Sequence, residues 1–198
     1  MWVFQKMRGS FLSGVMVVWA LLSTTGCSLG PTSYTALYEV QVSAVQGVTP
    51  APEAAEALAH DFIDTFGRMG SKDFLPALDG LFADGDIYVN DTLSVYRDYT
   101  PLRAHLAGIN QSVHAARVSL VNYWIEGDSV FVHWRMSYTL AVLGVRSDLT
   151  SHGISQLKMN QAGRIIFQQD YWDGNNGLYR QLPVVGWFYR LILPVQGL

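Results

Sequence analysis

Gly163-Arg164-Ile165-Ile166-Phe167-Gln168-Gln169-Asp170-Tyr171-Trp172-Asp173 carries the clearest structural signal in this chain. It leaves a turn at Asn160–Gly163 and then runs through β-branched and aromatic residues that suit a strand. Period-two alternation puts Arg164, Ile166, Gln168, Asp170 and Trp172 on one face, and Ile165, Phe167, Gln169, Tyr171 and Asp173 on the other. Neither face is cleanly apolar. That pattern fits a strand covered on both sides, with one side lining a cavity. A carboxyl two residues from an inward Trp would be poorly solvated, and desolvation raises its pKa and makes it a stronger base. The same spacing also allows a plainer reading, in which Asp170 is a strand-end acid in a solvated ion pair.

The 198 residues are 49% hydrophobic and 15% charged, enough for one globular domain with a substantial core plus an N-terminal appendage. Residues 1–27 form the appendage. Lys6 and Arg8 precede an apolar run, Phe11–Leu22, that is short for a membrane span but fits a signal-peptide core. Ser23-Thr24-Thr25-Gly26 then leads to Cys27, the single cysteine, so no disulfide framework exists. Alternative readings of these residues are an ordinary signal peptide with a spare thiol, or an uncleaved anchor. The segment resembles a bacterial lipobox. That resemblance implies palmitate-type acylation of Cys27 as the mature N-terminus, and Ser28 after it implies sorting to the outer membrane, facing the periplasm. Cleavage would remove two of the 13 basic residues and none of the 16 acids, for a net charge of −5. With no basic stripe left, nucleic acid is not an expected partner. Lipid, rather than charge, would hold the protein at a membrane.

Residues 28–52 read as a tether, mostly exposed, with one extended segment at Leu37–Val42. Pro52 and Glu53 suit a helix N-terminus, and Leu58, Phe62, Ile63, Phe66 and Met69 recur at helical spacing, which predicts an amphipathic helix over 52–69. His60 falls on its solvated side. A second helix is expected over 71–81 and a third over 99–109, with Thr100 as cap. Between them, Asp86–Asp91 alternates as a strand that puts Tyr88 and Asn90 on one face. From residue 116 the pattern changes to long strands: 117–125, 129–143 and 148–159, followed by the stretch quoted above. Helices followed by antiparallel strands make an α+β fold, a curved antiparallel sheet covered by helices. Residues 181–198 form an apolar, aromatic tail that could cap the pocket, contact a second copy or an envelope partner, or rest on lipid. The scattered histidines show no metal-ligand spacing, and no Gly-rich phosphate loop is present, so neither a metal nor a cofactor is expected.

The order of these elements, with Ala-Asp-Gly-Asp-Ile-Tyr-Val-Asn at 83–90 and the quoted stretch at 163–173, resembles the nuclear transport factor 2-like superfamily. SnoaL-like polyketide cyclases, ketosteroid isomerases and limonene-epoxide hydrolases belong to that group. The resemblance spans residues 53–180 and implies a cone-shaped α+β fold with a pocket between sheet and helices. In the epoxide-hydrolase branch, a Tyr-x-Asn pair and a strand-end Asp hold and deprotonate a water. The corresponding positions here are Tyr88, Asn90 and Asp170. Arg135 corresponds to that branch's bridging Arg, but Ser137 stands where its acid would be and cannot protonate a leaving group near neutral pH. The isomerase pattern is not met either, with Asn90 at the base position and Ser155 at an oxyanion-stabilising one.

The expected set is therefore Asp170, Arg135, Tyr88 and Asn90 as chemistry, with Trp172, Gln168, His133 and Ser155 as pocket lining. One parity choice controls it. If Phe131, His133, Arg135 and Ser137 face inward, the pocket is polar; if Val130, Val132, Trp134, Met136 and Tyr138 do, it is greasy and Arg135 is a surface charge. The family register favours the first arrangement, which is adopted here, and hydrophobicity favours the second. His152 is expected on the face opposite Ser155. Three functions remain open: an envelope protein binding a small hydrophobic ligand, a cofactor-free hydrolase, isomerase or cyclase-like enzyme with Asp170 as base, and a subunit of an envelope complex.

Overall fold

The computed structural model describes residues 34–142, 145–181, 186–187 and 191. The signal segment, Cys27 and much of the apolar tail, Phe188 included, lie outside these residues. Two compact units divide the chain, residues 1–41 and 42–198. Helix α1, Tyr34–Ala44, crosses that boundary, so the segment expected to be extended is helical. Its eleven residues contain no Gly or Pro, and Ala36, Leu37, Glu39 and Ala44 are good helix formers that outweigh the local β preference of two valines.

The second unit is α+β. Helix α2 (Pro52–Gly67) begins with Pro at its first turn and buries Ala55, Leu58, Ala59, Phe62 and Ile63 along one face. Helix α3 (Phe74–Leu81) buries Phe74, Leu78 and Leu81 at i, i+4 and i+7. Strands β1 (Asp86–Asn90) and β2 (Val95–Asp98) form a short antiparallel pair, and β2 is an addition to the elements expected from the sequence. Helix α4 (Tyr99–Ser112) starts two residues earlier than a Thr100 cap implies. Asp98 is its N-cap and accepts a 2.7 Å bond from the Thr100 backbone N–H. Three long strands follow, β3 (Val113–Glu126), β4 (Ser129–Val142) and β5 (Val145–Met159), and then β6 (Ile165–Trp172).

The sheet is open and ordered β2-β1-β6-β5-β4-β3. It is mixed rather than wholly antiparallel, because β1 pairs with β6 in parallel while the other pairings are antiparallel. A parallel contact needs a long crossover, and here α4 and β2–β5 together supply it. The β5–β6 turn is built by Asn160, whose side-chain oxygen accepts from the Ala162 and Arg164 backbone N–H groups, both at 3.0 Å. Gly163 takes φ +74° there, a left-handed conformation that a side chain would strain. Opposite this turn the β5–β6 register slips by one residue, so Ile165 joins the core while Phe167 points away.

The inner face of the sheet, with Val130, Val132, Trp134, Leu157, Met159 and Ile165, packs with residues of α2, α3 and α4 as one hydrophobic cluster. The other face is also buried in part and carries Tyr88, Phe167, Gln169 and Lys158. Lys158 is a buried cation whose Nζ lies 3.0 Å from Asp128 Oδ2 and donates to the Val42 and Val45 carbonyls at 2.6 and 2.9 Å. These three acceptors match the three N–H bonds of one ammonium and leave little unpaired charge. Among the described residues no helix is long and apolar enough to cross a membrane. Lys158→Met keeps the volume but strips those acceptors of their donor, and urea denaturation should show a loss of about 2–4 kcal/mol. A loss under about 0.5 kcal/mol would mean that Lys158 is solvated rather than structural.

Candidate functional site

The inner face of β4–β6 and the buried faces of α2 and α4 enclose a cavity of about 400 Å³. Most of its wall is apolar, from Phe62, Phe66, Met69, Leu106, Ile109, Met136, Leu140 and Trp172. The polar exceptions are Asp170, Gln168, Ser155 and Ser151 on the sheet side, with Asp91 and His105 completing them.

Alternation explains who points inward. Register places Gly153 opposite Trp172, Ser155 opposite Asp170 and Leu157 opposite Gln168, so all six side chains or hydrogens share the inner face. On β4 the same register puts Trp134 and Val132 beside Gly153 and Ser155. Hydrophobicity therefore decides the parity of β4: Trp134, Met136, Tyr138 and Leu140 line the cavity. Arg135 is exposed on the far face, which corrects the expected Arg135–Asp170 pair. His133 faces outward beside it, its ring centroid 6.3 Å from that of His152, and so is not pocket lining. Burying four large apolar side chains outweighs the gain from one buried ion pair, whose desolvation roughly cancels its attraction.

Tyr88 and Asn90 are also displaced from the expected site. Parallel register sets Tyr88 beside Phe167 and Asn90 beside Gln169, on the face away from Asp170. Tyr88 is fully buried and stacks on Phe167 with centroids 5.1 Å apart. Asn90 donates to the Tyr88 hydroxyl at 3.4 Å and accepts from the Thr92 backbone N–H at 3.0 Å, a turn-anchoring role. The water-holding set implied by the epoxide-hydrolase resemblance is thus not assembled around Asp170. A one-residue offset between β1 and β6 is enough to exchange the faces.

Ser155, Gln168 and Trp172 do lie where the sequence places them. Asp170 is 9% exposed. Its Oδ1 accepts from the Ser155 hydroxyl at 2.7 Å and from Gln168 Nε2 at 2.9 Å, and Gln168 Nε2 also lies 2.9 Å from Oδ2. Behind Ser155, the Trp134 indole N–H donates to its Oγ at 3.0 Å. The serine is thereby oriented as acceptor from the indole and donor to the acid. Burial drives the Asp170 pKa up to about 7, the Ser155 and Gln168 bonds pull against it, and the nearby Asp91 charge adds to the rise. Desolvation wins.

Gly153 makes this arrangement possible. A Cβ there would lie 2.6 Å from Trp134 Cη2 and 2.8 Å from Trp172 Cβ. With only hydrogen at that position, the Trp134 indole lies across β5 and reaches Ser155.

Two cavity residues, Asp91 and His105, escape the sequence reading. Asp91 follows β1, and Oδ1 accepts from the Leu93 and Ser94 backbone N–H groups at 2.9 and 2.7 Å, holding the β1–β2 turn. Its backbone carbonyl accepts from the Trp172 indole N–H at 3.0 Å. His105 on α4 directs Nε2 toward Asp91 Oδ2 at 3.7 Å. A signal for it is present in the chain: His105 stands three residues after Leu102 and beside Leu106, both buried. Leu178, just before the tail, lines the cavity, while in the tail Trp187 is 56% and Leu191 65% exposed. Among the described residues no group of three or more His, Cys, Asp or Glu is placed to hold a metal ion.

No family model matches the chain, and no curated protein matches its sequence. Solved structures do match its fold. TsrD from Streptomyces laurentii is 19% identical with a TM-score of 0.54, over 68% of this chain and 98% of that one. An LEH-like epoxide hydrolase from M. tuberculosis is 16% identical with a TM-score of 0.52, covering 74% of this chain and all of its own. A polyketide cyclase candidate from Acidithiobacillus ferrooxidans is 14% identical with a TM-score of 0.55, covering 69% and 99%. The chain has the nuclear transport factor 2-like fold, shared with SnoaL-like and epoxide-hydrolase-like proteins. At these identities the likeness concerns the fold alone.

The Asp170 carboxyl holds its proton more tightly in the folded chain, with a pKa of about 7 against an ordinary 3.8. Its contribution to stability is therefore full below pH about 4 and is lost as pH rises through about 7, on the order of 4 kcal/mol in all. Asp170→Asn should flatten that slope in urea titrations between pH about 4 and 7, since Gln168 can turn its amide to accept from the new one. A slope unchanged in the variant would show that another group carries it. Gly153→Ala should cost about 1–3 kcal/mol by overpacking and displace Trp134, read as a shift in tryptophan emission. An unmoved emission with unchanged stability would contradict the close approach.

Proposed function

We propose that residues 53–180 bind a small, largely apolar molecule in the cavity, with Asp170, Gln168 and Ser155 meeting its polar end. In this reading a lipid on Cys27 tethers the domain in the bacterial cell envelope, at the outer membrane facing the periplasm. One observation carries the binding half: an apolar cavity of about 400 Å³ with a buried carboxyl in its wall, bonded by Ser155 and Gln168. Cavities of this size and character suit small organic ligands. Names of structural neighbours, a polyketide cyclase candidate and an epoxide hydrolase, support a pocket used for organic molecules. The envelope half rests on the sequence: Lys6 and Arg8, the apolar run 11–22, and Cys27 after small residues.

Native mass spectrometry of the full chain purified from membranes should find a bound species of a few hundred daltons, and Met136→Trp, which fills the cavity, should remove it without changing the circular dichroism spectrum. A bound species that survives the filled cavity, or none in either protein, would sink the reading. Cys27→Ser should move the chain from the membrane fraction to the soluble one, and continued membrane retention would count against the lipid.

A second reading, a cofactor-free enzyme with Asp170 as general base, is favoured by one observation. A carboxyl pushed up to about 7 is poised to take and return a proton near neutral pH. With Arg135 on the far face, the ion pair that would hold this acid ionised is not made, and burial sets its basicity. Turnover of the extracted ligand should then rise with pH to a plateau above about 7 and vanish in Asp170→Asn. Turnover retained in that variant would leave a binding domain only.

A further inference from the structure

Two polar residues of the cavity wall each keep a buried atom unmet, and the two differ in what they lack. Gln168 is 3% exposed and lines the cavity, and its Nε2 faces both oxygens of Asp170 at 2.9 Å. Its Oε1 is buried and has no hydrogen-bond partner among the described residues. Gln168 therefore presents an acceptor. Should the amide turn toward a protonated Asp170, the remaining Nε2 would face the ligand, so one amide atom is unmet in either orientation.

His105, on α4, is the other residue. Its Nε2 is buried and likewise has no hydrogen-bond partner among the described residues. The Asp91 carboxylate, 3.7 Å away, is beyond hydrogen-bond length but close enough to favour the tautomer with hydrogen on Nε2. Asp91 is not free to close that gap. Its Oδ1 holds the Leu93 and Ser94 N–H groups, and its carbonyl takes the Trp172 indole N–H. Nor is the imidazole loose, since its ring lies 5.2 Å from that of Tyr96 at an interplanar angle of 33°. His105 therefore presents a donor held in place. Apolar residues, among them Phe62, Phe66, Leu106, Met136 and Leu140, make up most of the remaining wall, which Ser151 and Tyr138 also line.

We infer that the cavity selects a molecule with an apolar skeleton and two polar groups: a hydroxyl received at Gln168 and Asp170, and a carbonyl or ether oxygen received by His105. Hydroxy-ketones, hydroxy-esters and hydroxy-lactones are the matching class. The inference rests on the binding reading and adds to it a requirement for both groups. Buried groups built to bond a ligand discriminate strongly against one lacking the complement, because they are then left unpaired.

Fluorescence or calorimetric titration of the full chain tests this with naphthalene, 2-naphthol, 2-acetylnaphthalene and the two-ended 6-acetyl-2-naphthol, plus the shorter 4-hydroxyacetophenone. A two-ended probe of one of these lengths should bind at least about ten-fold more tightly than either one-ended naphthalene. Gln168→Met should erase the hydroxyl's advantage and leave 2-acetylnaphthalene unchanged. His105→Phe should erase the carbonyl's advantage and leave 2-naphthol unchanged. Gln168→Leu and His105→Asn serve where either variant misfolds. Two-ended probes no tighter than one-ended ones, with naphthalene still bound, would overturn the two-ended requirement alone. That requirement falls equally if each variant weakens every probe to the same extent. If no probe binds, naphthalene included, the binding reading itself falls.

Discussion

The site depends on a carboxyl group that three neighbouring strands hold out of water. Removing an ionised carboxylate from solvent costs several kcal/mol even after relaxation, and two neutral donors return only part of that. Ser155 and Gln168 are those donors, and neither carries charge. The balance falls short of full ionisation, leaving Asp170 with a pKa near neutrality. A buried Arg would have tipped it the other way. Because Arg135 lies on the opposite face, the acid keeps the property that makes it chemically interesting.

That carboxyl also explains features some distance from it in sequence. Trp134 must cross β5 to orient Ser155, and only a residue without Cβ lets it pass, which accounts for Gly153 inside a long strand. Trp172, on the same face two residues beyond Asp170, bonds the Asp91 carbonyl and so ties β6 to the turn after β1. Through these contacts β1, β4, β5 and β6 converge on one end of the cavity. Asp91 belongs to that convergence through its carbonyl, and α4 adds His105 to it, with Nε2 3.7 Å from Asp91 Oδ2.

Much of this is legible in the residues. The helices over 52–67 and 74–81 follow from apolar spacing, and the long strands from alternation between turn residues. Gln168, Asp170 and Trp172 fall on one face because period two within β6 is a local property, and the β5–β6 register adds Ser155 to it. The family register misplaces Arg135 and His133, since on β4 the burial of Trp134, Met136, Tyr138 and Leu140 prevails over it. Tyr88 and Asn90 depart from expectation for a different reason: β1 meets β6 in parallel, and nothing within β1 states the offset. Strand β2 is too short, at four residues, for its alternation to register.

The amino-acid order by itself determined which segments of the domain are helix or strand, which side chains share a face within each, and that a carboxyl sits among aromatic rings late in the chain. Those outcomes depend on neighbours a few residues away, so local sterics and periodicity suffice. Long-range pairing fixes which face of β1 meets the cavity, that α4 brings His105 to Asp91, and that Arg135 points away from Asp170. Such matters turn on registers between strands distant in sequence, where a shift of one residue reverses every side chain and leaves the local pattern unaltered.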